Sequence, residues 1–324
     1  MEEKKLFKVS SNPLVRTKRD TTSIMLDVII ALIPALAVGT YMFGIKVVLL
    51  LAVNVFACVF FEWGYRKLLK KPQSVGDLSA VVTGFLLTCV LPSEATWWMG
   101  VIGSFFAIVV VKQLYGGIGK NFLNPALAGR AFLTAGYAAV MTSWAVPTTL
   151  AGVVDGATMA TPLSYLKAGE ALPEYFDLLS LFLGGVPGSI GEVSALAILI
   201  GAAYLLIRKV ITWRIPTAFI GTVAVLCLVF GKSGYGRIDW TVYNLLSGGL
   251  ILGAFFMATD YSTSPVTLRG QLLFGVGCGA LTVLIRYFGS YPEGVSYAIL
   301  IMNCCAWAID RVTRGRQFGV TAED

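Results

Sequence analysis

The sequence predicts an all-α, polytopic membrane protein of about ten transmembrane helices, and three observations carry that reading. Of its 324 residues, 56% are hydrophobic and only 13% are charged, whereas a soluble domain has about a quarter of its residues charged. The mean hydropathy is +0.77. The apolar residues gather into runs approaching the ~20 residues that a helix needs to cross a bilayer core, and lysine and arginine divide unevenly between the loops that join them.

The opening "MEEKKLFKVSSNPLVRTKRD" holds no apolar stretch before residue 23 and no small-residue cleavage site, so it reads as a polar cytoplasmic tail, 1–21, rather than a signal peptide. Ten candidate spans follow at 22–43, 45–65, 78–92, 96–112, 127–145, 191–208, 214–231, 243–259, 270–288 and 293–310. The third is short and ends at Pro92, which predicts a re-entrant or broken helix. The fifth follows Pro125, a residue suited to a first helical turn. Gly249 and Gly253 in the eighth span, and Gly275 and Gly279 in the ninth, stand four apart and predict close helix contacts. With the N-terminus inside, 20 of the 25 Lys and Arg residues face the cytoplasm, a bias that places both termini inside. The first membrane half is then 22–145, the second 191–310, and 311–324 is a cytoplasmic tail. Residues 146–190 form an outside loop too long for an ordinary connection, the kind that tends to be functional.

The halves resemble each other faintly. "LSAVVTGFLLTCVLP" from Leu78 pairs with "LSGGLILGAFFMATD" from Leu246, and "NPALAGRAFL" from Asn124 pairs with "YPEGVSYAIL" from Tyr291, at nearly one offset. Five spans per half would make two inverted repeats, with binding near their interface.

Composition also excludes. There is no histidine, which removes the commonest general base, the usual haem ligand and most zinc sites. Cys58, Cys89, Cys227, Cys278, Cys304 and Cys305 lie in apolar runs without C-x-x-C spacing; they read as small buried hydrophobes, and no metal site is expected. The net charge of +7 fits cytoplasmic anchoring charge better than a nucleic-acid partner.

Three polar stretches remain. In "YGGIGKNFLNPALAGRAFL" the glycines before Lys120 lack the spacing of a nucleotide loop; Asn121 and Asn124 suit helix capping and ligand binding equally. In "FMATDYSTSPVTLRG", Asp260 either lines an ion path or caps the next helix. In "DGATMATPL", residues 155–163, a bare threonine is a poor nucleophile without a base, but an exposed one accepts modification readily. No catalytic residue is expected.

These stretches, with "GGLILGAFFMATDYSTSP" and "YPEGVSYAILIMN", resemble the D subunits of Rnf electron-transport complexes over essentially the whole chain. The B subunits of sodium-translocating NADH:quinone reductases are more distantly similar. The resemblance implies a subunit of a prokaryotic cytoplasmic-membrane complex that couples electron transfer between ferredoxin and NAD to Na+ or H+ movement. It implies other complex subunits as partners, and a flavin transferase that attaches FMN through its phosphate to a threonine in an Asp-x-x-Ser/Thr-Gly-Ala-Thr pattern. Asp155, Thr158, Ala160 and Thr161 match, with Thr161 as the acceptor. Met159 stands where glycine is usual, which leaves Thr158 as the alternative. Asn121 and Asn124 match an Asn-x-x-Asn that in the quinone reductases helps bind non-covalent riboflavin. A channel or facilitator on the same scaffold is the alternative from another class.

Overall fold

A computed structural model describes residues 20–150, 158–231 and 236–314. These residues are helical, without a β-strand among them; two isolated antiparallel bridges, Pro92–Ser189 and Ala145–Thr158, are the exceptions. In chain order the helices are α1 (Thr21–Phe43), α2 (Lys46–Leu68), α3 (Ser79–Val90), α4 (Trp97–Phe105, continued by a π-helix over Phe106–Gln113), α5 (Pro125–Gly136) and α6 (Ala138–Met141). There follow α7 (Pro162–Ala168), α8 (Leu178–Leu183), α9 (Ala195–Ile207), α10 (Arg214–Val229), α11 (Arg237–Leu246), α12 (Leu250–Leu252, continued by a π-helix over Gly253–Met257), α13 (Leu268–Phe288) and α14 (Val295–Thr313).

Among the described residues, α1, α2, α13 and α14 are each long and apolar enough to cross a membrane alone. The remaining expected spans are shorter or broken. The 12 residues of α3 rise only ~18 Å at 1.5 Å each, against a hydrocarbon core of ~30 Å. The expected span 243–259 is a pair, α11 and α12, bent by 63°. Such breaks leave main-chain groups that lipid cannot satisfy. Here they satisfy one another: Ile190 N–H donates to Leu91 O at 3.0 Å, and Gly191 N–H to Cys89 O at 2.8 Å. Arg286 caps the end of α11 by donating to the carbonyls of Asn244 (2.6 Å) and Ser247 (3.2 Å).

Close packing follows the small residues. A Cβ on Gly201 of α9 would collide with the Ala31 carbonyl of α1, so the two helices touch backbone to backbone. Gly275 and Gly279 do the same for α13 against α10, where Ala218 and Thr222 lie in contact. Gly249 differs from expectation: it stands at the α11–α12 break facing Glu192 and Glu293. Outward, large apolar side chains such as Leu49, Phe56, Val225 and Trp307 are exposed, as lipid-facing residues would be.

One expectation is corrected. Cys304 and Cys305 are exposed on α14, while the other four cysteines are buried; all six are free. Lys112 and Arg130, counted with the cytoplasmic cations, are buried, as is Arg286 from the outside group.

Candidate functional site

Four breaks in the helical pattern meet around Arg130. Asn124 starts α5 by accepting from Ala126 N–H (3.1 Å) and Leu127 N–H (3.3 Å), with Pro125 at the first position. That fixes the helix so that Arg130, two turns in, points between the segments preceding α9 and α14. Its Nη2 lies 2.6 Å from Glu293 Oε2 and its Nη1 3.5 Å from Glu192 Oε1. Nη1 also donates to Ser296 Oγ at 2.8 Å. Gly249 N–H donates to Glu293 Oε1 at 3.2 Å. A side chain at Gly249 would collide with Oε1 of both glutamates, so the backbone must come this close to let the carboxylates converge.

Beside this cluster opens a cavity of 390 Å3, within the range of ~300–1,000 Å3 that small-molecule sites occupy. Arg130 and Glu293 line one end; Trp144, Met159, Tyr291 and Tyr297 supply apolar and aromatic wall. The rings of Tyr291 and Tyr297 stack with centroids 5.8 Å apart. The threonine loop closes the remaining side. Thr158 bridges Ala145, Met159 N–H donates to Trp144 O (3.0 Å), and Thr158 is exposed and lines the cavity. Thr161 is half-buried and caps α7: its Oγ1 accepts from Ser164 N–H at 3.3 Å and lies 2.9 Å from Ser164 Oγ. Lys167 ties α7 down, its Nζ donating to the carbonyls of Gly289 (2.5 Å) and Tyr291 (2.9 Å). Asp155 lies outside the described residues.

Asn121 and Asn124 line a separate cavity of 90 Å3 that also meets Lys112 and Asp260, below the size range of small-molecule sites. Both are buried, and Asn124 is engaged at each end, its Oδ1 in the cap and its Nδ2 on Met257 O at 3.4 Å. Asn121 Nδ2 donates to Leu123 O at 3.1 Å. Asn124→Ala is therefore expected to lower stability by about 1 kcal/mol through the lost cap, read as a fall in thermal midpoint in detergent; no change would deny the cap its role. Asp260 does not cap a helix. Its carboxylate accepts from Ser262 N–H and from the hydroxyls of Ser262 and Thr263, while Thr267 caps α13. Burial pushes the Asp260 carboxyl above its ordinary value, against those hydrogen bonds. Nearby, Lys112 Nζ meets Glu62 Oε2 and Ser79 Oγ at 2.6 Å each, and both partners of the ion pair are buried. Among the described residues, no three His, Cys, Asp or Glu side chains gather as a metal centre.

The NQR2, RnfD, RnfE family description matches residues 8–319. The chain belongs to this family. It is 52% identical over 316 residues to the D subunit of the Na(+)-translocating ferredoxin:NAD(+) oxidoreductase complex of Acetobacterium woodii, covering 97% of this chain and 95% of that one. It is 41% identical to the D subunit of the proton-translocating ferredoxin:NAD(+) oxidoreductase complex of Clostridium ljungdahlii, covering 98% and 97%. With the D subunit of the ion-translocating oxidoreductase complex of Stutzerimonas stutzeri it shares 40% identity over 92% of each.

In this member of the NQR2, RnfD, RnfE family, the structure brings Thr158 and Thr161 beside the Arg130 cluster and leaves Asn121 and Asn124 at a different cavity. Sequence reasoning did not single out Arg130, Glu192 or Glu293. A signal was present: both glutamates stand in the first two positions of expected spans, and ionisable residues entering a membrane are functional candidates by default.

Proposed function

We propose that this chain is the flavin-carrying membrane subunit of an ion-translocating ferredoxin:NAD oxidoreductase complex. FMN is joined through its phosphate to the Thr161 hydroxyl by a flavin transferase, and the flavin supplies one- and two-electron transfer when bound. The observation that carries this reading is that Thr158, Met159, Ala160 and Ser164, on either side of Thr161, line a 390 Å3 cavity with aromatic wall and the Arg130 guanidinium, while Thr161 itself faces a smaller neighbouring cavity. The size and lining fit a planar aromatic ring. Tyr291, Tyr297 and Trp144 exclude water from one side, and Arg130 places a fixed positive charge where negative charge on the ring is stabilised. Thr161 is preferred to Thr158 because it holds the acceptor place of the motif and, as a helix cap, keeps its acceptor role toward Ser164 N–H after esterification. With no histidine in the chain and a serine hydroxyl beside Thr161 Oγ1, attachment needs the transferase.

The names of the relatives support ion translocation and membership of a multi-subunit complex. The Lys/Arg bias supports an outside threonine loop and cytoplasmic termini. Contacts of α1 with α9 and of α5 with α14 are those that two inverted halves would make. The chain purified from cells that co-express a flavin transferase should run as a fluorescent band on a denaturing gel, and dark without the transferase. A dark band in both would favour the channel reading.

A further inference from the structure

Where α13 begins and α14 finishes, an open groove of 510 Å3 runs between the two helices. Arg269, in the first turn of α13, and Arg314, at the end of α14, both line it, and Leu268, Leu273 and Val312 supply apolar wall. Thr267 and Thr313 complete the lining and are fixed in place. They meet hydroxyl to hydroxyl, Thr313 Oγ1 donates to Ile309 O at 2.7 Å, and Thr267 Oγ1 accepts from Gly270 N–H at 3.1 Å.

Arg269 and Arg314 are exposed, and neither has an ion-pair partner among the described residues. Asp310, the acid of α14 that reaches this end of α13, is taken by the main chain. Its carboxylate accepts from Val266 N–H at 3.0 Å and from Thr267 N–H at 3.1 Å. The groove thus presents two positive charges, each a planar fork suited to phosphate oxygens. The apolar wall tells which phosphate. Leu268, Leu273 and Val312 are exposed in the groove, and Leu272 and Val276 continue the exposed apolar track along α13. A soluble anion gains nothing from such a wall, whereas a phospholipid brings acyl chains with its phosphate. The level fits as well: Trp307 of α14 is exposed, with the Arg311 guanidinium 5.5 Å from its ring centre, and tryptophan gathers at the headgroup level of a bilayer.

We propose that the α13–α14 groove binds one anionic phospholipid, its phosphate held between Arg269 and Arg314 and its acyl chains lying along Leu273 and Val276. The Lys/Arg bias assigns this end to the cytoplasmic leaflet, where basic pockets between helices take anionic head groups. A head group that carries an ammonium beside the phosphate brings a third positive charge to the two arginines, so a glycerol head group is preferred to a choline one. The lipid ties α13 to α14, and α14 carries Ser296 and Tyr297 of the large cavity at its other end. The site needs no flavin and stands apart from the threonine loop.

Native mass spectrometry of the full chain in detergent tests it, with phosphatidylglycerol or phosphatidylcholine of the same acyl chains added in series. One phosphatidylglycerol per chain should survive activation that strips phosphatidylcholine. Arg269→Gln and Arg314→Gln should each weaken its binding about 5-fold, and together about 25-fold. Both side chains are exposed, so the variants should fold; if the double variant aggregates, the single ones carry the test. Lys67→Gln with Lys71→Gln removes the same charge near the end of α2 and should leave the bound lipid unchanged. Equal retention of the two lipids overturns the proposal, as does full retention by the double arginine variant. An equal loss in the lysine pair would make the preference one of net charge and overturn it too. Displacement by millimolar inorganic phosphate would make the groove a soluble-anion site, which also overturns it. The chain made without transferase serves throughout, so a dark gel band has no bearing on the result.

Discussion

Thr161→Val is expected to abolish covalent flavin entirely while leaving a folded protein. The substitution keeps the branched shape and removes the only atom of that side chain that can form the ester. It also removes the α7 cap, a loss of about 1 kcal/mol. The helix should survive that, because Pro162, Leu163 and Leu166 are buried beneath it and Lys167 holds its end to the carbonyls of Gly289 and Tyr291. Thr158→Val should keep the flavin, since Thr158 stands three residues before the acceptor place. In-gel fluorescence of each denatured variant, with mass spectrometry of the loop peptide, separates the outcomes. A fluorescent Thr161→Val beside a dark Thr158→Val would move the attachment to Thr158, whose exposure on the large cavity makes it the chemically reachable alternative. Fluorescence in both would end the covalent-flavin reading of this loop.

What sequence could and could not reveal divides along a physical line. The helices α1, α2, α13 and α14 are legible because an unbroken apolar window is a local property, written in consecutive residues. The pairing of α13 with α10 is legible for the same reason, since Gly275 and Gly279 mark a helix face by their spacing alone. Pro92 announces the break after α3, and the break after Leu246 has no such mark. There Gly249 looks like half of a packing motif until the carboxylates opposite it are seen. The threonine loop is legible as a motif, but the cavity it covers is assembled from α5, α6, the loop itself and the segment before α14. Arg130 and Glu293 are 163 residues apart, and nothing in either neighbourhood encodes the other. Counting Arg130 as an anchoring charge was reasonable from hydropathy, because its span begins only a few residues earlier. Its ion pair is a tertiary fact.

That ion pair carries the largest expected effect on stability. Arg130→Leu removes one partner and leaves Glu192 and Glu293 facing each other in a buried site, which should destabilise the chain by about 3–5 kcal/mol. Arg130→Lys keeps the charge but loses the two-sided reach that lets one guanidinium meet Glu293, Glu192 and Ser296 together, so an intermediate loss is expected. The cause can be isolated from mere packing. If unpaired negative charge is what destabilises Arg130→Leu, adding Glu293→Gln should recover part of the loss, because it removes the carboxylate nearest the lost guanidinium. A coupling of about 1–3 kcal/mol between the two substitutions is the expected size for groups in direct contact. Thermal midpoints and the fraction of monodisperse protein in detergent give the readout for all three variants. Additive losses, or an Arg130→Leu chain within ~1 kcal/mol of the original, would mean that the glutamates are not held as anions by Arg130. The cluster would then be a polar packing contact, and a fixed positive charge at the end of the flavin cavity would have to be sought in Arg286.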